Sequence, residues 1–244
     1  MPQLILDDIK FAYPDGNAVL DGLSLRVEPG ESIGLVGANG AGKSTLLLLL
    51  MGILWPQQGR IEVLGTVLDK RTVQQIRRQM GLVFQDSDDQ LFCSTVSEDV
   101  AFGPRNAGLD PAAVEQAVVA ALEQTGIAAL RDRAPYKLSG GEKRLAAISS
   151  VLSMDPAILI MDEPSSSLDP RARRNLIGLL RRLPQTKLIT SHDLDLVWDV
   201  CDRVIVMQGG RAIADGPAKT VLADEALLQS AGLELPLRLQ PMEQ

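Results

Sequence analysis

Nine residues, Gly37-Ala38-Asn39-Gly40-Ala41-Gly42-Lys43-Ser44-Thr45, constrain this chain more than any others. They fit the pattern G-x-x-x-x-G-K-[ST], whose glycines let a backbone wrap closely around a polyphosphate. The N–H groups so freed point at phosphate oxygens, and the helix that follows adds the positive end of its dipole. Lys43 is expected to reach the β- and γ-phosphates, Ser44 to hold Mg²⁺ through its hydroxyl, and Thr45 to act as a further donor. The flanks agree with this reading. Ser32–Val36 (SIGLV) has the pattern of a short apolar strand entering the loop, and Leu46–Met51 (LLLLLM) that of an apolar helix leaving it.

The 244 residues allow one large domain or two small ones, with ample core. Aromatic residues are only 3 %, so that core is mostly aliphatic. A net charge of −7 without any basic run argues against nucleic acid as a partner. The longest apolar run is the helix after the loop, far short of a membrane span. The first ten residues, MPQLILDDIK, carry acids where a secretory signal carries bases. Cys93 and Cys201 are far apart, have no metal-type spacing, and read as free thiols of a reducing cytoplasm.

Leu4–Phe11 and Ala18–Val27 read as strands joined through the turn Pro14-Asp15-Gly16. Tyr13, at the end of the first, could stack on a purine ring or pack its own hairpin. Arg60–Val63 and Met80–Phe84 read as strands, with a helical turn at Val73–Arg78 between them. Gln85 follows at a strand end, where open α/β sheets meet ligands, although a plain loop glutamine fits as well. Residues 86–135 read as a helical insertion with helices at Val96–Phe102 and Pro111–Gln124, entered through an acidic stretch. Leu138-Ser139-Gly140-Gly141-Glu142 then leads into a helix, Lys143–Ser153. Ser139 and Glu142 have the spacing of a capping box, and the two glycines suit either close approach of an anion or a capped helix start.

Ala157–Met161 is fully apolar, like a strand buried in a parallel sheet, and ends in Asp162-Glu163. Asp162 there suits Mg²⁺, and Glu163 suits a general base for an attacking water. A helix at Pro170–Arg182 and a strand at Lys187–Thr190 follow. His192, the only histidine, comes just past that strand. It could be structural, or its imidazole could bond a γ-phosphate oxygen or the water. Asp193–Val200 reads as a helix, Arg203–Met207 and Arg211–Ala214 as the last strands, and the tail from Pro217 as a helix followed by a loose end containing proline.

Taken in order, these motifs resemble the ATP-binding cassette (ABC) ATPase family from about Leu4 to about Ser230. Gly37–Thr45 is the phosphate loop, Gln85 the Q-loop and Leu138–Glu142 the signature, with glutamate where glutamine is commonest. Ile158–Glu163 matches the second nucleotide motif. Ser166–Asp169 matches the D-loop, with Ser167 where alanine is usual, and His192 matches the switch histidine. The resemblance implies an α/β fold: a P-loop NTPase cassette with a RecA-like parallel-sheet core, an N-terminal antiparallel β subdomain and an α-helical subdomain. One domain would span 1–230, with a short tail at 231–244. ATP and Mg²⁺ are the implied cofactors. Tyr13, Gly37–Thr45, Gln85 and Leu138–Glu142 would contact ATP; Ser44, Gln85 and Asp162 would hold Mg²⁺; Glu163, His192 and Lys43 would be catalytic. Ala38, Asn39, Gly40, Ala41 and Gly42 enter as loop residues, and Ser139, Gly140 and Gly141 as signature residues.

Within that family, Val83–Leu109 resembles the ATPases of energy-coupling-factor (ECF) importers, especially the cobalt and nickel group. This implies a peripheral protein on the cytoplasmic face of the cell membrane. A second copy would pack head to tail, with a transmembrane scaffold subunit and a small substrate-binding membrane subunit as further partners. Asp86, Asp88, Asp89, Glu98 and Asp99 would then receive basic helices of the scaffold.

Overall fold

The computed structural model describes residues 1–240. Strands β1 (Leu4–Ala12) and β2 (Ala18–Val27) form an antiparallel hairpin. Strand β3 (Ser32–Val36) runs into the phosphate loop and helix α1 (Lys43–Leu50). Next come β4 (Gln58–Val63), β5 (Thr66–Val67), α2 (Val73–Arg77) and β6 (Met80–Val83). Three helices follow: α3 (Val96–Asn106), α4 (Pro111–Thr125) and α5 (Gly140–Leu152). The chain then alternates β7 (Ile158–Asp162), α6 (Pro170–Arg182), β8 (Thr186–Thr190), α7 (Leu194–Val200) and β9 (Arg203–Gln208). It closes with β10 (Arg211–Pro217), α8 (Ala218–Val221) and α9 (Glu225–Ser230).

Two sheets result. One is antiparallel, in the order β2-β1-β4-β5; the other has the order β10-β9-β3-β8-β7-β6 and is parallel except for its edge pair β9/β10. The apolar runs of the central strands explain this. Ile33, Leu35, Ile158, Ile160, Leu188 and Ile205 face a core shared with α1 and the antiparallel sheet. Val36, Leu159, Met161, Ile189, Val204 and Val206 face a second core shared with α3–α7. A strand covered on both faces reads as continuous apolar sequence, because alternate side chains enter different cores.

Several boundaries differ from the sequence reading. Helix α1 starts at Lys43, since the left-handed cap is Gly42 (φ 101°), and α5 starts at Gly140. The capping box at Ser139 and Glu142 offsets the poor helix propensity of the two glycines. Helix α3 continues through Pro104 to Asn106. Proline cannot donate to the carbonyl of Val100, but the Ser153 hydroxyl does so at 2.8 Å. Both cysteines are free. Among the described residues, no helix is long and apolar enough to cross a membrane.

The segment 233–240 is not a loose end. Arg238 bonds Asp195 through Nε at 2.6 Å and Asp199 through both Nη atoms at 2.9 and 2.8 Å, and it lies over the Trp198 ring. The Leu237 N–H donates to Asp195 at 2.8 Å. Gln208 holds the carbonyl of Ser230, and Gly232 sits beside Ala38 of the phosphate loop. The segment is therefore a strap from the phosphate loop to α7; residues 241–244 of the expected tail lie outside the described residues.

The Arg238 hydrogen bond holds the Asp199 carboxyl below its ordinary 3.8. A carboxyl depressed in the folded state stabilises above its unfolded pKa and loses that effect as pH falls through the folded one. The strap should therefore stay closed down to about pH 4 and loosen only below it. Arg238→Ala should loosen it already at pH 7, with hydrogen exchange at the Leu237 amide faster by about tenfold.

Candidate functional site

The carboxyl ends of four parallel strands meet at one edge. The phosphate loop follows β3, Phe84-Gln85 follows β6, Asp162 ends β7, and Ser191-His192 follows β8. The parallel register of β7 and β8 sets Asp162 opposite Thr190. In open α/β sheets, this edge is where ligands are met.

The loop needs glycine at two places for different reasons. At Gly37, a Cβ would stand 2.4 Å from the Met207 carbonyl oxygen, so β9 itself excludes a side chain. At Gly42, φ is 101° and a Cβ would meet Leu20 at 2.8 Å. The β1–β2 hairpin thus backs the loop and carries Tyr13 to it. The Tyr13 hydroxyl lies 3.3 Å from Thr45 Oγ1, and its ring sits edge-on to Phe11 at 5.1 Å.

Lys43 is only 7 % exposed, and its ammonium donates to the carbonyls of Gly37 at 2.7 Å and Ala38 at 3.2 Å. Burial pulls its pKa down, while the carboxylates of Glu163 and Asp162 push it back up. Asp162 accepts a 2.5 Å bond from the Thr190 hydroxyl. Glu163 has a left-handed backbone, φ 45°, and its N–H donates to the Thr190 carbonyl at 3.1 Å. Its Oε2 accepts the His192 backbone N–H at 2.9 Å. His192 Nε2 comes within 3.3 Å of Oε1, but without hydrogen-bond alignment, so Oε1 is a buried acceptor with no donor.

Tyr13, Asn39 to Thr45, Gln85, Glu163 and His192 line one cleft of about 600 Å³. The carbonyls of Gly37 and Ala38 serve it through Lys43. The signature residues are elsewhere. Gly140 and Leu138 line a separate cleft of about 510 Å³ with residues 84–89, Asp162 and Ser166–Leu168; Gln85 lines both clefts. Ser139 and Gly140 are exposed, and Gly141 is half-buried against Ala172.

Two of the expected contact residues also have partners within the chain. The Leu138 side chain packs in the helical core at the wall of the second cleft, where it anchors the signature. Glu142 accepts the Ser139 N–H at 2.8 Å, a bond that lowers its carboxyl pKa, so it closes its own helix start. Of the five acids expected to receive the scaffold, Asp99 is the one the structure removes, while Asp86, Asp88, Asp89 and Glu98 stay exposed. Asp99 is 3 % exposed and accepts the N–H groups of Phe92 and Cys93 at 3.0 Å each. Asp88 pairs with Lys143 at 2.6 Å, Asp86 caps the Asp88 N–H, and Glu98 caps α3. Of the five acids, only Asp89 makes no such contact among the described residues. Sequence displays charge, but not the partner that neutralises it.

A Mg²⁺ ion fits the donor set. Ser44 offers an exposed hydroxyl, Gln85 an amide oxygen and Asp162 a carboxylate, all hard oxygen ligands that leave positions for water and phosphate. Among the described residues, no cluster of three or more His, Cys, Asp or Glu offers an alternative metal site. Thr190, which holds both Asp162 and the backbone of Glu163, is a site residue the sequence reading missed. Its signal was present: it ends the strand that delivers His192.

Comparison with known proteins bears on this geometry. A family model described as ABC transporter matches residues 20–166. Over 233 residues, the chain is 53 % identical to a Geobacter sulfurreducens protein provisionally named an ABC transporter ATP-binding protein, covering 96 % of this chain and 94 % of that one. The energy-coupling factor transporter ATP-binding protein EcfA of Carboxydothermus hydrogenoformans is 42 % identical over 241 residues, covering 98 % and 89 %. In three dimensions the chain is similar to cbiO1 of Clostridium perfringens, part of the ABC transporter complex cbiONQ. The TM-score is 0.85, with 38 % identity and 96 % of each chain covered.

Proposed function

The chain belongs to the ABC transporter ATPases, and from that premise we propose that it is the ATP-hydrolysing subunit of an ECF importer for cobalt or nickel ions. The observation that carries the importer reading is the full-length likeness to cbiO1, 96 % of each chain at a TM-score of 0.85. The metal cargo rests on the resemblance of Val83–Leu109 to the cobalt and nickel group. A second reading is a vitamin importer of the same architecture; the 42 % identity to EcfA supports the ECF architecture and is neutral on the cargo.

In this reading the phosphate-loop N–H groups and Lys43 hold the β- and γ-phosphates, and Tyr13 stacks on the adenine. Ser44, Gln85 and Asp162 would hold Mg²⁺, which supplies charge neutralisation on the phosphates. Glu163 accepts the proton of a water as general base, a role supported by an Oε1 that no donor within the chain occupies. That water's oxygen attacks the γ-phosphorus in line as the bond to the β-phosphate breaks. His192 bonds the γ-phosphate oxygen that gains charge. Ser139, Gly140 and Gly141 stand outside this cleft, so a second copy packed head to tail supplies them to the γ-phosphate. ATP then closes the dimer, because only the closed state contains both contacts.

The scaffold docks on exposed apolar side chains of the segment that follows β6. Phe92 is 65 % exposed, and its ring meets the half-exposed Phe102 edge-on at 4.9 Å; Phe84 is exposed next to Gln85. Such a patch on a peripheral protein marks a partner site.

Glu163→Gln should bind ATP and accumulate as a dimer on light scattering while phosphate release falls at least about a hundredfold; undiminished turnover would mean another base acts. Tyr13→Ala should raise the Michaelis constant for ATP by about tenfold, and no change would return Tyr13 to packing its hairpin. Phe92→Asp with Phe102→Asp should abolish co-purification of membrane subunits but keep ATP binding. Co-purification of the unaltered chain from native membranes tests the whole proposal. A scaffold plus a small membrane subunit supports it, the small subunit separates metal from vitamin, and a soluble dimer without partners overturns it.

A further inference from the structure

Three ties join the segment 84–90 to helix α5. Arg144 donates Nη1 to the Phe84 carbonyl at 2.6 Å and Nη2 to the Gln85 carbonyl at 2.5 Å. Lys143 pairs with both oxygens of Asp88 at 2.6 and 2.8 Å. Gln90 donates to the Ala147 carbonyl at 2.8 Å and accepts the Phe84 N–H at 3.1 Å. Helix α5 is the helix that begins at the signature glycines, and Gln85 lines the phosphate cleft.

Arg144 is the unusual member. It is 4 % exposed, its Nε has no partner, and among the described residues no carboxylate bonds it directly, Asp86 acting only at longer range. Its hydrogen bonds go to neutral carbonyls, and the nearby Asp86 carboxylate only partly offsets the burial that lowers its pKa, so an apolar side chain of similar volume would often serve the fold as well or better. A role in packing alone therefore does not account for a cation here. The forked geometry does: two adjacent carbonyls are gripped at once, which fixes the peptide plane that carries Gln85.

We infer that Arg144 is a positioning residue for Gln85, locking the Gln85 loop and the signature helix into one rigid unit. Force applied by a partner beside Phe84 then moves Gln85 in one site and the signature of the other site together. The inference rests on the reading that Gln85 serves the nucleotide cleft.

A double-mutant cycle tests it, with phosphate release measured on the full chain in the complex it forms in native membranes. Arg144→Met and Gln85→Ala should each lower kcat by about tenfold with KM for ATP changed less than about twofold, and the double variant should be no slower than Gln85→Ala. Additive losses, about a hundredfold in the double variant, would overturn the inference and leave the role of Gln85 intact. So would unchanged turnover in Arg144→Met. Unchanged turnover in Gln85→Ala would instead overturn the underlying reading of Gln85. Should Arg144→Met fail to fold, Arg144→Lys keeps the charge but cannot grip both carbonyls, and the same cycle decides.

Discussion

The structure is built around a buried ammonium. Lys43 is enclosed by the carbonyls of its own loop, and removing such a charge from water costs several kcal/mol unless opposite charge is near. The opposite charge comes from Asp162 and Glu163, more than a hundred residues later. They reach it only because β7 stands two places from β3 in the parallel sheet, with β8 between. β8 in turn supplies Thr190 to orient Asp162 and to hold the backbone of Glu163. The two apolar cores exist on either side of this arrangement and keep its strands in order. The sheet order and the lysine's burial are thus one constraint seen from two ends.

Around that rigid edge, two pieces of surface are tied by arginines. Arg144 joins the Gln85 segment to α5, while Arg173 bonds Asp193 and so joins the helix after the D-loop to the residue after His192. The strap adds Arg238, which bonds Asp195 and Asp199 of α7. In each case a fork meets two acceptors, a geometry that restrains orientation as well as distance. The loops of the site are consequently not independent; each is held by an element that begins or ends at another motif.

Much of this was legible because the motifs lie where the hydrophobic pattern changes. SIGLV into glycines, AILIM into Asp162-Glu163, and KLIT into Ser191-His192 each mark a buried strand reaching the ligand edge. What was not legible depended on partners distant in sequence. Asp99 looks like surface charge, yet it caps the Phe92–Cys93 turn from within. Pro104 looks like a helix end until Ser153, about fifty residues on, satisfies the carbonyl it leaves free. The tail looks loose until Asp195, Trp198 and Asp199 are found on one face of α7 to meet Arg238. Local chemistry is written locally; the neutralisation of a charge by a remote residue is not.

The backbone of Glu163 shows how that remote dependence reaches the chemistry. A left-handed non-glycine residue costs about 1–3 kcal/mol and persists only where its surroundings fix it. Here two N–H bonds do so: its own to Thr190, and that of His192 to its Oε2. Both partners belong to β8 or the turn leaving it. With Oε2 held by the His192 N–H, Oε1 is the oxygen left buried without a donor. A glycine at 163 would relieve the strain and remove the carboxylate together, so the strain has to be carried by the neighbouring strand. The strand after Asp162-Glu163, not that pair alone, therefore determines how the Glu163 carboxylate is held.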